Sequence, residues 1–179
     1  MRLFGRMFTA ERRPDTRGES VKRIGVTGHR DIPSEALGEI RTCLRSLLCG
    51  HDGSLEALSS LAAGADQLFA AIALECGAAL TVVIPSGDYE TGFAEPAELA
   101  RYQGLKRRAS QEVRMDFPHA TDEAYYAAGA YIADNCDRLV AVWDGQPARG
   151  LGGTGDIVQY ARGLGKSVTV VWCDGVRRP

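Results

Sequence analysis

From Arg23 onward, short β-branched apolar runs alternate with longer stretches whose apolar residues recur every three to four positions. Short apolar runs bounded by turn residues predict strands, and a period near 3.6 predicts helices. "RIGVTG" reads as the first strand. Pro33 and Ser34 then supply a helix start, and Leu37, Ile40, Leu44, Leu47 and Leu48 mark one face of a first helix. "SLEALSSL" is a second strand. In the stretch after it, Ala65, Leu68, Phe69, Ile72 and Cys76 fall at offsets zero, three, four, seven and eleven, a single helical face. "LTVVIP" is a buried strand ended by Pro85, "PAELARYQGLKRRAS" a weaker helix with an internal glycine, and "EVRMDF" a short strand. Tyr125, Ala128, Gly129, Ile132 and Cys136 repeat the helical offsets before the strand "RLVAVW". "GDIVQYARGL" and "SVTVVW" close the chain as helix and strand.

Six strands alternating with five helices predict an α/β, Rossmann-like, doubly wound and mostly parallel sheet with helices on both faces. The opening "MRLFGRMFTAERRPDTRGES" has no continuous apolar core of the kind a secretory signal needs. Its Arg, Pro, Gly and Ser content predicts a disordered leader over 1–20, followed by one domain over 21–175.

In such a sheet ligands bind outside the carboxyl ends of the strands, so residues in the strand-to-helix loops are the candidates for chemistry. After the first strand come Gly28, His29 and Arg30, either a solvated turn or one wall of an anion site. There Arg30 could clamp a phosphate bidentately, and His29 could meet a base or sugar. After the second strand come Gly64 and Asp66; the carboxylate either satisfies the first turn of its helix or contacts a ribose hydroxyl. After the fifth strand, "WDGQPARGLGGTGD" carries Asp144, expected to line the opposite wall of the site, and Gly152, Gly153, Thr154, Gly155 and Asp156. Glycines allow close backbone approach, and the helix start offers unpaired N–H groups and partial positive charge, so a phosphate fits there. Trp143 is a candidate base-stacking wall.

Composition narrows this. A chain of 179 residues, 45% hydrophobic, buries one sizeable core. Its net charge of -2 gives no global reason to bind nucleic acid or an anionic membrane. No apolar run reaches the length of a membrane span. The five cysteines are odd in number, widely spaced and free of any C-x-x-C pair; they read as reduced core residues of a cytoplasmic protein. No metal site and no cofactor is expected. Two motif matches are set aside. "RGLGKS" has Tyr160 where a P-loop needs its first glycine, and it precedes a strand. "GLGGTG" matches G-x-G-x-x-G but lies six residues beyond its strand, in the last unit of the chain.

Together, "GVTGHR", "SLAAGAD", "VVIP", "CDRLVAVWDG" and "GGTGDIVQYA", in this order, resemble the SLOG superfamily, which joins the DNA-processing Smf proteins to the LOG phosphoribohydrolases. The resemblance covers about Arg23 to Trp172. It implies a Rossmann-like fold that binds nucleotides or nucleotide-derived ligands at the carboxyl edge, in some members as ligand sensors. LOG enzymes hydrolyse the N-glycosidic bond of nucleoside monophosphates with a motif P-G-G-x-G-T-x-x-E and an upstream arginine. Gly152, Gly153 and Gly155 match its glycines. Leu151 replaces its proline, Asp156 its threonine and Gln159 its glutamate. A neutral amide is no general base, so any such hydrolysis here would fall to Asp156 as the catalytic carboxylate.

The reading that results is binding of a nucleotide or nucleotide-derived small molecule, as sensor or carrier. The alternatives are a LOG-like phosphoribohydrolase and, third, a DNA-binding Smf-like protein, for which the chain offers few cation clusters. A homodimer is implied by the resemblance alone.

Overall fold

The structure is a computed structural model that describes residues 22–50 and 54–179; the leader expected over 1–20 lies outside them. In chain order the elements are β1 (Lys22–Gly28), α1 (Ser34–Leu48), β2 (Leu55–Ser59), α2 (Ala65–Glu75), β3 (Ala79–Ile84), a 3-10 turn (Tyr89–Gly92), α3 (Pro96–Arg107), β4 (Gln111–Arg114), α4 (Asp122–Asn135), β5 (Arg138–Val142), α5 (Thr154–Gly163) and β6 (Ser167–Val171). The six strands form one sheet in the order β4-β3-β2-β1-β5-β6, and every neighbouring pair is parallel. The predicted α/β Rossmann-like architecture is the observed one, with a wholly parallel sheet.

Helices cover both faces, so the strands read as continuous apolar runs. The pleat divides their side chains. Ile24, Val26, Ala57, Leu80, Val82 and Val140 pack under α1, α2 and α3, while Leu58, Val83 and Leu139 pack under α4 and α5. On α1, Ala36, Ile40, Leu44 and Leu48 are buried at four-residue spacing. The α2 helix lies between α1 and α3 and is buried almost all round, so even Asp66 and Gln67 on its first turn are shielded. On the other face, α4 approaches β1 closely because Gly25 has no side chain; a Cβ there would collide with Ile132. A Cβ on Gly129 would stand 2.5 Å from Ile157, and its absence lets α5 nest against α4.

One sequence expectation is corrected. Cys49 and Cys76, just past the last turns of α1 and α2, are joined as a disulfide, so not all five cysteines are reduced. They lie 27 residues apart with no motif between them. Only the side-by-side packing of the two helices brings them together. Cys43, Cys136 and Cys173 are thiols, and burial pushes Cys136 up and Cys173 to about 11. Among the described residues no helix is long and apolar enough to cross a membrane.

Candidate functional site

The strand order reverses at β1. From there β2, β3 and β4 build the sheet out on one side, and β5 and β6 on the other. The chain leaves β1 for α1 on one face and leaves β5 for α5 on the opposite face, so a crevice opens between the two loops at the carboxyl edge. A cavity of about 470 Å³ occupies it, walled by the loops after β1, β2 and β5 and by the first turns of α4 and α5.

The β1 loop is held by backbone bonds to its neighbours. The His29 N–H donates to the Val142 carbonyl (3.1 Å), and the His29 carbonyl accepts the Ala65 N–H (3.0 Å). Gly64 makes this approach possible. Its φ is +80°, and a Cβ there would collide with the Arg30 carbonyl. The His29 side chain is buried and its Nε2 lies 2.9 Å from Asp144 Oδ1. Burial holds the imidazole below its ordinary pKa, against the opposing pull of Asp144, so the ring is neutral near pH 7. A carboxylate can only accept, so the proton sits on Nε2. The other tautomer would turn that nitrogen to the Asp144 N–H at 3.2 Å but set a lone pair against the carboxylate. Asp144 also accepts the Gln146 N–H and lies 3.4 Å from Arg178 Nε. Burial opposes its charge, yet these partners hold its pKa below the usual carboxylate value.

Arg30 makes no ion pair among the described residues, and its guanidinium stands 5.4 Å from the centre of the Tyr125 ring. In the same cavity wall stands Asp66, which is 6% exposed and binds the Ser59 hydroxyl and the Ser60 N–H, both at 3.2 Å. Burial nonetheless raises its pKa to about 6. Ser59 Oγ in turn accepts the N–H of Leu61, the one non-glycine residue in the left-handed region among those described (φ 56°). Asp66 therefore both lines the cavity and ties down the strained loop that shapes it.

The glycine segment enters α5 with Gly152 at φ +81°, packed so closely on the first turn of α4 that a Cβ would stand 2.7 Å from the Tyr126 nitrogen. Asp156 closes the segment from within: its carboxylate accepts the Gly152 N–H at 3.1 Å. The N–H groups of Thr154 and Gly155 have no acceptor among the described residues, and Thr154 lines the cavity.

Of the residues singled out in the sequence, Gly28, His29, Arg30 and Asp66 meet Gly152, Gly153 and Thr154 around this one cavity. The others do not line it. Gly64 sets the approach of two loops, Gly155 packs beneath the Gln146–Ala148 backbone, and Asp144 lies behind His29 where an opposite wall was expected. Asp156, expected as the catalytic carboxylate, is spent on the Gly152 N–H and is absent from the cavity wall; Gln159 is exposed. Trp143 donates to the Gln146 carbonyl and is likewise outside the wall.

Sequence reasoning missed Tyr89, Asp122, Tyr125, Arg149 and Arg178, all of which line the cavity. Arg149 had a signal, since it adjoins the first glycine of the segment. Tyr125 was visible only as one apolar position on a helix. Arg178 lies in a tail without periodicity that folds back over the carboxyl edge, where Arg178 donates to Pro147 O (2.8 Å) and Arg149 to Pro179 O (2.7 Å). Among the described residues no group of three His, Cys, Asp or Glu side chains could hold a metal ion.

No family model and no curated protein matches the chain by sequence. Solved structures do match. DNA processing protein A from Streptococcus pneumoniae is 17% identical over 84% of this chain, with a TM-score of 0.61. The same protein from Helicobacter pylori, described with a single-stranded DNA binding mode, is 16% identical over 83% of this chain, also with a TM-score of 0.61. This chain spans 50% and 64% of those two proteins. The molybdenum cofactor carrier protein of Chlamydomonas reinhardtii is 20% identical over 84% of this chain and 76% of its own, with a TM-score of 0.52. The likeness is one of fold, and the shared fold is the Rossmann-like architecture that the sequence predicts.

Proposed function

We propose that the chain binds a nucleotide or nucleotide-derived small molecule at the β1/β5 crevice, as a sensor or carrier, with a phosphate on the first turn of α5. One observation carries the reading. The unpaired N–H end of α5 and three arginines, Arg30, Arg149 and Arg178, meet at a single cavity of about 470 Å³. A helix start with free donors favours an anion, guanidinium groups grip phosphate bidentately, and the volume is that of a small-molecule site. His29 and Asp144 act through each other: the pair fixes the loop that presents Arg30. The relatives in fold include a cofactor carrier, which supports a carried or sensed small molecule.

The test is thermal unfolding of the full chain against nucleoside mono-, di- and triphosphates and ADP-ribose. A ligand at 100 times its Kd stabilises the native state by about 2.7 kcal/mol, a readable shift in midpoint. Arg149→Ala is expected to weaken binding at least tenfold. No shift with any phosphorylated compound would sink the reading.

Phosphoribohydrolase activity is the second reading, favoured by Asp66, a cavity carboxylate that titrates near 6 and is thus placed to act as a general acid. Released base from a nucleoside monophosphate, lost in Asp66→Asn, would support it. A gel shift at low and moderate salt addresses single-stranded DNA, for which the fold likeness to DNA processing protein A is the reason to look. The cytoplasm is the proposed location, where thiol buffers would act on the Cys49–Cys76 pair.

A further inference from the structure

Next to the cavity lies a second chamber of about 320 Å³, and the two share Arg30, Asp31, Ala62, Tyr89 and Tyr125 in their walls. Its far side is built by the 3-10 turn and the start of α3, with Phe93, Glu95 and Glu98. Both spaces carry carboxylates, Asp66 and Asp122 in the first and Glu95 and Glu98 in the second, but they differ in cations. The first holds the glycine segment, the free end of α5, Arg149 and Arg178. The second has no cation except the shared Arg30, and it adds two glutamates and an aromatic ring.

The aromatic wall is braced. Tyr89 meets Phe93 edge-on at 5.5 Å and Tyr125 at 6.3 Å, and behind them the fully buried Tyr102 packs on Phe93 at 4.9 Å and on Tyr89 at 5.6 Å. Tyr125 therefore belongs to a fixed cluster, not to a mobile surface ring. The glycine segment lies against the same turn of α4 that carries Tyr125, so a ligand seated on that segment has the second chamber within reach of its other end.

We propose that this chamber is a subsite for the base of the ligand, and that it selects a flat ring bearing amino groups, as in adenine or guanine nucleotides. The proposal rests on the nucleotide reading above. Rings stack on rings regardless of sequence, and carboxylates accept hydrogen bonds but donate none. A ring edge with N–H donors is therefore matched to Glu95 and Glu98, and an edge of carbonyl acceptors is not. Arg30, over Tyr125 at the junction, stands where phosphate and ring parts of one ligand would join.

The experiment is titration calorimetry of the full chain with ribose 5-phosphate, AMP, GMP and IMP. At least one amino-purine nucleotide is expected to bind roughly 10- to 100-fold more tightly than ribose 5-phosphate, the usual range for a stacked base, and more tightly than IMP. Phe93→Ala is expected to remove the advantage over ribose 5-phosphate while leaving ribose 5-phosphate itself unchanged. The isosteric double variant Glu95→Gln, Glu98→Gln, which keeps side-chain shape, is expected to remove the advantage over IMP. Equal binding of ribose 5-phosphate and all three nucleotides would overturn the base subsite and leave the phosphate site standing. Tight nucleotide binding that ignores Phe93→Ala and the glutamate variants would also overturn it. Failure of every compound to bind would take down the nucleotide reading as well.

Discussion

Asp66 sets two demands against each other. Its carboxylate receives the Ser59 hydroxyl and the Ser60 N–H, which favour the charge, yet burial prevails and holds its pKa at about 6. An unfolded aspartate titrates near 3.9. Between about pH 4 and pH 6 the folded chain keeps a proton the unfolded chain has released, so stability is highest at the acid end of this window and falls as pH rises through it. The full effect is roughly 3 kcal/mol. His29 works the other way. Its pKa is below the ordinary value, so the unfolded chain protonates first and stability falls as pH drops below about 6.5. Urea denaturation of wild type and Asp66→Asn from pH 4 to pH 7 separates the two. The asparagine variant keeps the histidine response and is expected to gain on wild type by roughly 3 kcal/mol across the range. A constant difference between the two proteins would show that Asp66 titrates like an exposed carboxylate.

Between elements, the decisive contact is that of the loops after β1 and β2, and it depends on Gly64. With φ at +80° and the Arg30 carbonyl where a Cβ would go, Gly64→Ala must move backbone, not a flexible side-chain end. A loss of about 2–4 kcal/mol is expected by chemical denaturation, with weaker ligand binding because Arg30 shifts with its carbonyl. A variant as stable as wild type would show that the two loops are not pressed together. This contact also marks how far the sequence could be read. Periodicity reports one-sided burial, so Ile40, Leu44 and Leu48 disclosed α1, and short apolar runs bounded by turn residues disclosed the strands. The site was legible as far as it sits in strand-to-helix loops. Strand order was not legible, because any arrangement of buried parallel strands has the same apolar pattern. Placing β1 beside β5 is what joins His29 to Asp144 across 115 residues and turns Asp144 from a wall of the cavity into a support. Asp156 was misplaced for a related reason: position in a motif does not say whether a carboxylate faces a ligand or caps its own loop.

At the scale of the whole molecule the two edges of the sheet have separate tasks. The carboxyl edge holds the cavity, its strained loop and the arginines. At the amino edge α1 and α2 end side by side, joined by Cys49 and Cys76. That bond closes a loop of 27 residues in sequence, and limiting the unfolded chain in this way is worth roughly 3.5 kcal/mol, a large part of the 5–15 kcal/mol that holds a typical domain together. Because the bond lies across the sheet from the cavity, its loss should weaken the fold without changing the site. Dithiothreitol is expected to lower the urea midpoint of the wild-type chain, and the double variant Cys49→Ser, Cys76→Ser is expected to have the lower midpoint with or without reductant. Nucleotide affinity, measured well below the unfolding transition, should be the same in all these states. A midpoint unmoved by reductant would mean that the two cysteines are thiols in solution. A midpoint that falls together with affinity would mean that the two edges are coupled through α2, the element whose first turn carries Asp66 and whose end is followed by Cys76.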